Sequence, residues 1–513
     1  MVYPQPSMCG IVGLIGAHDA AREAFLGLTT LQHRGQDAAG ILTYDADGFH
    51  RVKNIGLVES VFTRENMETL TGSLAIAHTR YSTIGRGDVI DVQPFLLSYP
   101  FGLGLVHNGN IVNCGDLRAD LKTKSRRHLL TRSDSEVVLN LFADGLAKAS
   151  NKTSNVNAAE SLVQFDDICE AVGHVFSSVN GSYSIITAIA DQGLVAFRDP
   201  NGIRPLIWGK RSDQGSEQHM IASESVALSF LGYEIVRNIE PGEVVFIDMK
   251  GKVQSRKIAH PAQPFRPCMF EWVYFASPES VMDGVPVYGA RIQLGKNLAR
   301  LLKDRIREKG IEADIIVPVP ETSRIAAIAL SEELNIPYRE VLIKNRYIKR
   351  TFILDSQDKR QKAVNLKLSP VRSEIAGKKV ILLDDSIVRG TTSRKIIELM
   401  RAAGAAKVYF ISTCPPIQHP CYYGIDFPVG AELIASGRDL QEIERELGAD
   451  AVIYQELEGL EDSIRQGEVR GFRPCMACLD GNYPTDISAA GLEFSNRRKA
   501  DRPDDQHCCK EKT

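Results

Sequence analysis

The chain has 513 residues, 43% of them apolar and 24% charged, with a formal net charge of −3. That length exceeds what one hydrophobic core serves, so two or three domains are expected, and the near-neutral balance excludes an overall pull towards nucleic acid or an anionic membrane. No apolar run approaches a bilayer span and no secretory signal opens the chain, which predicts a cytoplasmic protein whose ten cysteines form no disulfide framework and whose close cysteine pairs are metal or redox positions.

The first informative stretch is PSMCGIVGLIG, residues 6–16, where Cys9 precedes Gly10 and an apolar run. Taken alone, Cys9 reads as a small hydrophobe starting a core strand. At a mature terminus it would carry its own α-amine beside the thiol, with a pKa of about 7.7–8.0, fit to take a proton near neutrality. That requires residues 1–8 to be removed as a propeptide or leader, or translation to start at Met8 with that methionine clipped. From Cys9 to about residue 255, short alternating segments such as SLAIAHTRYST, GLGLVHNGNIV and YSIITAIADQGLVAFRD predict antiparallel β-structure with some helix. The polar stretch 146–161 is expected as an exposed loop or insertion. HPAQPFRP marks a linker near 260–267.

Four motifs follow the cysteine in order: LQHRGQDAAG (31–40), HTRYST (78–83), HNGNI (107–111) and SDSE (133–136). Together they resemble the glutamine amidotransferases of the N-terminal-nucleophile class. The resemblance implies an α+β (αββα sandwich) glutaminase domain over 9–258 with Cys9 as nucleophile. It further implies that Arg80 pairs with the glutamine α-carboxylate and Asp134 with its α-ammonium. Asn108 and the Gly109 N–H would form the oxyanion hole.

Beyond the linker the rhythm changes to apolar runs, ADIIVPVP, YREVLIKN, KKVILLDD and AKVYFIST, separated by amphipathic segments. This predicts an α/β half with parallel strands buried on both faces. In KKVILLDDSIVRGTTSRKIIELM, Val380 to Leu383 read as a strand, Asp384 and Asp385 stand at its carboxyl end, and Ser386 to Thr392 turn into a helix that Gly404 would terminate. Ligands bind at such strand ends, and a helix start attracts phosphate. Gly390 lets the backbone approach, and Thr391, Thr392 and Ser393 add hydroxyls. The two carboxylates would repel a phosphate set on top of them, so they face sugar hydroxyls or a cation; the combination describes a ribose phosphate.

This segment resembles the phosphoribosyl pyrophosphate (PRPP) motif of type I phosphoribosyltransferases. The resemblance implies that Asp384 and Asp385 hold the ribose hydroxyls and that Ser386, Arg389, Gly390, Thr391 and Thr392 surround the 5′-phosphate. VPVPETSR (317–324) matches the pyrophosphate loop, with Mg²⁺ expected at Thr322, Asp384 and Asp385. KNRYIKRTFI (344–353) matches a catalytic loop that supplies Lys344, Arg346 and Arg350 to PRPP.

Cys475-x-x-Cys478 has a spacing that suits two thiolates on one metal. The two halves together resemble the amidophosphoribosyltransferase family, from Cys9 to about Tyr483. That resemblance implies glutamine hydrolysis coupled to transfer of ammonia to PRPP, giving 5-phosphoribosylamine, pyrophosphate and glutamate, the first committed step of de novo purine synthesis. In the family's iron–sulfur branch Cys268, Cys421, Cys475 and Cys478 would hold a [4Fe–4S] cluster; zinc is the alternative for such a donor set. Purine nucleotide feedback inhibitors and a homotetramer are further family expectations, with no nucleic-acid or membrane partner. The expected division is 1–8, 9–258, 268–460, a cluster-bearing segment 461–490 and a polar tail 491–513. Rival readings are other glutamine-dependent transferases, which the PRPP motif disfavours, and a PRPP-sensing regulator with an inactive first half.

Overall fold

The computed structural model describes residues 8–80, 88–153, 163–213, 215–259, 265–344, 368–427, 430–465 and 472–488. In the first half two antiparallel sheets lie face to face. One has seven strands in the order Glu234–Asn238, Ile207–Asp213, Ser216–Ala222, Gly10–Ile15, Leu74–Arg80, Ala38–Asp45 and Gly48–Ile55. The other has six, in the order Val253–Lys257, Glu243–Asp248, Gly193–Arg198, Gly181–Ile189, Leu103–Ile111 and Phe95–Leu97.

The strand that follows Cys9 shows why the sandwich closes. Ile11 and Ile15 pack between the sheets with Val106, Ile186 and Leu194, whereas Val12 and Leu14 join the apolar layer under the helix Ala20–Thr30, as a period of two requires. Gly13 faces inward, where a Cβ would stand 2.7 Å from Ile186. The outer face of the six-stranded sheet is covered by helices Asp134–Thr153 and Phe165–Ser178. The first of these corrects the expected loop: residues 146–153 continue the helix, and Leu146 and Ala149 are buried. Their apolar neighbours Val138, Leu141 and Phe142 extend a helical stripe into a stretch that composition alone marks as polar. The rest of that stretch lies outside the described residues.

In the second half four parallel strands, Ile315–Pro318, Lys379–Asp384, Lys407–Ser412 and Ala451–Tyr454, pair in that order. Alternate residues bury on opposite faces. Val380 and Leu382 meet Ile396, Ile397 and Met400 of the helix Thr391–Ala402. Ile381 and Leu383 meet Leu298, Leu302 and Leu330 from helices Val287–Lys309 and Arg324–Leu334. Both faces are covered, which accounts for the continuous apolar runs.

One apolar cluster crosses from half to half. It joins Met8, Val12 and Leu28 to Cys268, Trp272, Phe427 and Phe472. Trp272 is fully buried and stacks on Phe472 with ring centroids 6.0 Å apart. Trp272 belongs to a π-helical turn, Glu271–Phe275, that follows the linker.

Candidate functional site

Cys9 is half-buried at the start of the strand Gly10–Ile15. Its carbonyl accepts from Arg34 Nε at 3.1 Å, and the Met8 N–H donates to the Arg34 carbonyl at 3.1 Å. Arg34 is fully buried. Its Nη1 donates to Glu224 and its Nη2 to both oxygens of Glu271, at 3.0 and 2.9 Å. Burial alone would lower the Arg34 pKa, but these two carboxylates outweigh it and push it up. Met8 is buried too, with its sulfur 2.6 Å from Nη1 of Arg204.

Arg204 ties this end of the strand to the predicted oxyanion strand. Its Nε donates to the Tyr423 carbonyl at 3.0 Å, and a Cβ on the adjoining Gly424 would lie 3.3 Å from Nη2 of Arg204 and 3.2 Å from the Gly109 carbonyl. Asn108 and Gly109 sit on the strand Leu103–Ile111. Asn108 is buried, and its Nδ2 has no hydrogen-bond partner among the described residues. Gly109 has φ +153°, and a Cβ there would meet the Ser182 carbonyl at 1.9 Å, so only glycine fits. A buried, unspent amide donor beside a glycine N–H is what an oxyanion needs.

Asp134 opens the helix Asp134–Thr153, and its Oδ2 accepts from the Ile111 N–H at 3.1 Å. Burial would raise its pKa, but the neighbouring His107, 3.7 Å away, and backbone N–H groups hold it at about 2. It is therefore a carboxylate at neutral pH, as an ammonium partner must be. Arg80 ends the strand Leu74–Arg80 and donates to the Asp91 carbonyl at 2.9 Å.

The acidic pair ends the strand Lys379–Asp384. Asp384 is buried, and the Asp385 N–H donates to its Oδ1 at 2.9 Å. Ser386 Oγ donates to Asp385 at 2.7 Å, and the Thr322 hydroxyl also bonds Asp385. Burial pushes both carboxyls up, and mutual repulsion adds to this at Asp384. Two crowded carboxylates with a hydroxyl from the neighbouring strand-end loop form a donor set suited to a hard cation or sugar hydroxyls. Gly390 has φ +72°, and a Cβ would meet Ile434 at 2.3 Å; it opens the helix Thr391–Ala402 with Thr391 half-buried and Thr392 exposed. Arg389 pairs with Glu432 at 3.2 Å. Lys344 is exposed at the end of the strand Leu342–Lys344; Arg346 and Arg350 lie outside the described residues.

Cys268, Cys421, Cys475 and Cys478 are all buried. Cys268 and Cys475 face each other across a bridge, and the Cys475 N–H donates to the Pro267 carbonyl at 2.7 Å. Burial pushes the thiols of Cys268 and Cys478 up, and Cys478 senses Cys421, Cys414, Cys268 and Cys475 as well. The four are thus neighbours, although among the described residues no three His, Cys, Asp or Glu side chains are arranged around a common ion position. Cys414, which no motif singles out, is also buried and senses Asp385 and Cys268.

The residues that join the two centres, Arg34, Arg204, Glu224, Glu271 and Arg291, are missed by motif reading. The available signal is charge where burial is expected: Arg34 inside LQHRGQD and Glu271 inside FEWVYF.

The phosphoribosyl transferase domain family matches residues 290–424, and the glutamine amidotransferase domain family matches 78–229. A glutaminase sandwich joined to a phosphoribosyl fold defines a glutamine-dependent transferase acting on a phosphoribosyl group. The chain is 43% identical over 496 residues to the amidophosphoribosyltransferase of Pseudomonas aeruginosa, covering 96% of each chain. It is 42% identical over 500 residues to that of Escherichia coli, again covering 96% of each. The solved glutamine PRPP amidotransferase of B. subtilis, complexed with ADP and GMP, superposes with a TM-score of 0.80 at 37% identity, covering 93% of this chain and 98% of that one. The chain belongs to the amidophosphoribosyltransferase family, the glycosyltransferases of purine biosynthesis. None of the described helices is long and apolar enough to cross a membrane.

Proposed function

We propose that the chain hydrolyses glutamine at Cys9, once that residue is the terminus, and delivers the ammonia to C1 of PRPP. Arg80 and Asp134 hold the glutamine α-carboxylate and α-ammonium. The Cys9 thiolate attacks the carboxamide carbon, and its α-amine carries the proton from thiol to leaving nitrogen. The oxyanion is held by Asn108 Nδ2 and the Gly109 N–H, water then cleaves the thioester, and glutamate departs. Ammonia attacks C1 of PRPP with inversion and pyrophosphate leaves, giving 5-phospho-β-D-ribosylamine. The observation that carries this reading is the unspent, buried Asn108 amide beside Gly109 in a chain whose other half presents the Asp384–Asp385 pair.

Thr322, Asp384 and Asp385 would hold Mg²⁺, which when bound neutralises charge on the leaving pyrophosphate. Ser386, Arg389, Gly390, Thr391 and Thr392 surround the 5′-phosphate, and Lys344, with Arg346 and Arg350, approaches from the loop. Cys268, Cys421, Cys475 and Cys478, all buried, would hold a [4Fe–4S] cluster with a structural or regulatory role. We assign domains to 9–258 and 268–460, with 461–490 supplying the CxxC ligands. Purine nucleotides act as feedback inhibitors, supported by ADP and GMP in the B. subtilis relative's structure, and the enzyme is a cytoplasmic homotetramer. Steady-state release of glutamate and pyrophosphate tests the reading: equal rates that require both substrates support it, and glutamate release indifferent to PRPP contradicts it. N-terminal sequencing should find Cys9 first.

A further inference from the structure

We propose that Glu271 is a positioning residue for glutamine hydrolysis: it is the group through which the phosphoribosyl half holds Arg34 against the carbonyl of Cys9 and so acts on the nucleophile. The inference rests on the function proposed above and deepens it.

Arg34 has three directions of donation, and each is spent on a different part of the molecule. Nε meets the Cys9 carbonyl, Nη1 meets Glu224 of the glutaminase sandwich, and Nη2 meets Glu271 from beyond the linker. A planar fork with fixed donors transmits a sideways shift of one carboxylate to the opposite edge. Both carboxylates are themselves held. Glu224 Oε2 accepts from the Ser277 N–H at 2.9 Å and from Ser280 Oγ at 2.8 Å. Glu271 is buried and belongs to the turn Glu271–Phe275.

That turn is fastened from its other side by Arg291. The guanidinium donates to the carbonyls of Trp272 at 2.9 Å, Tyr274 at 3.2 Å and Ala276 at 2.8 Å. Arg291 is buried on the helix Val287–Lys309, and its charge acts on Asp385 of the acidic pair. A contiguous set of polar contacts therefore runs from Arg291 through the 271–276 turn to Glu271, Arg34 and Cys9, and Arg291 stands within electrostatic reach of Asp385. A buried ion pair is by itself weak grounds for stability. Here its geometry fixes the backbone on which the nucleophile stands.

The test is the full-length Glu271→Gln enzyme, assayed with glutamine and, separately, with ammonia as nitrogen donor. Glutamine keeps the side-chain size but removes the charge opposite Arg34. Ammonia-dependent synthesis is expected within about twofold of the parent, while PRPP-stimulated glutamate release and glutamine kcat/KM fall about ten- to hundredfold, the scale set by a small misplacement of a reacting group. Glu271→Asp should recover part of the loss. Unchanged glutamine use, or a parallel fall of both activities, overturns the proposal. If Glu271→Gln does not fold, Arg34→Lys is read by the same two assays, since it keeps the charge but withdraws the Nε donor. A parent that uses no glutamine with PRPP would refute the function itself; a coupled parent with an indifferent variant refutes this inference alone.

Discussion

Asn108 is where residue chemistry speaks most directly. Burying an amide without a partner costs free energy; in the proposed mechanism the idle Nδ2 meets the charge that forms only during reaction. Asn108→Ala should lower glutamine-dependent kcat by about 10²–10³-fold and leave ammonia-dependent synthesis intact, which paired assays on one preparation would check. Glu224 makes a prediction about acid. Burial would raise its pKa, but His33 and Arg34 hold it well below the usual carboxylate range. A depressed carboxylate stabilises the fold fully above its unfolded value of about 4.3 and loses that contribution as pH falls below it. Thermal melting between about pH 5 and 3 should therefore show a steeper decline for the parent than for Glu224→Gln. Motif reading singled out Asn108, Gly109, Asp134 and the acidic pair because the expected chemistry fixes their residue types. It missed Arg34, Glu224 and Glu271 because their partners lie 190 and 237 residues apart in the chain, and pairing over such separations leaves no local pattern.

At the scale of elements, the strand Lys379–Asp384 with its following helix was legible from its apolar run, acidic pair, glycine-bearing turn and amphipathic helix; only the left-handed conformation of Gly390 needed the structure. Each feature there is dictated within a few residues. The helix Asp134–Thr153 was legible only in part, since Lys148, Ser150 and Asn151 disguise a stripe that Leu146 and Ala149 continue. Loop 421–424 shows what no single element reveals. Its Tyr422 carbonyl accepts from Asn110 and its Tyr423 carbonyl from Ser182, both at 2.8 Å, so the segment carrying Cys421 braces the paired strands Leu103–Ile111 and Gly181–Ile189. For the acidic strand end, Asp384→Asn should weaken PRPP binding by about ten- to hundredfold, as expected for one charged hydrogen bond. At PRPP concentrations that saturate the variant, its glutamate release should approach the parent's; isothermal titration and a glutamate assay would show both.

For the whole molecule, the crossing cluster of Met8, Leu28, Trp272 and Phe472 and the buried Arg34 network argue against independently stable halves. Interfaces that are large and apolar suppress relative domain motion. Calorimetry should accordingly give one unfolding transition for the full chain, and two well-separated transitions would count against that packing. Sequence indicated two halves but not this joint, because apolar residues that meet across domains look like any other core. The most direct measurement for the account as a whole is made on Cys9→Ala protein, with glutamine and ammonia compared as nitrogen donors to PRPP. The account predicts that glutamine-dependent synthesis is lost and ammonia-dependent synthesis is kept. Glutamine use at the parent's rate would contradict it.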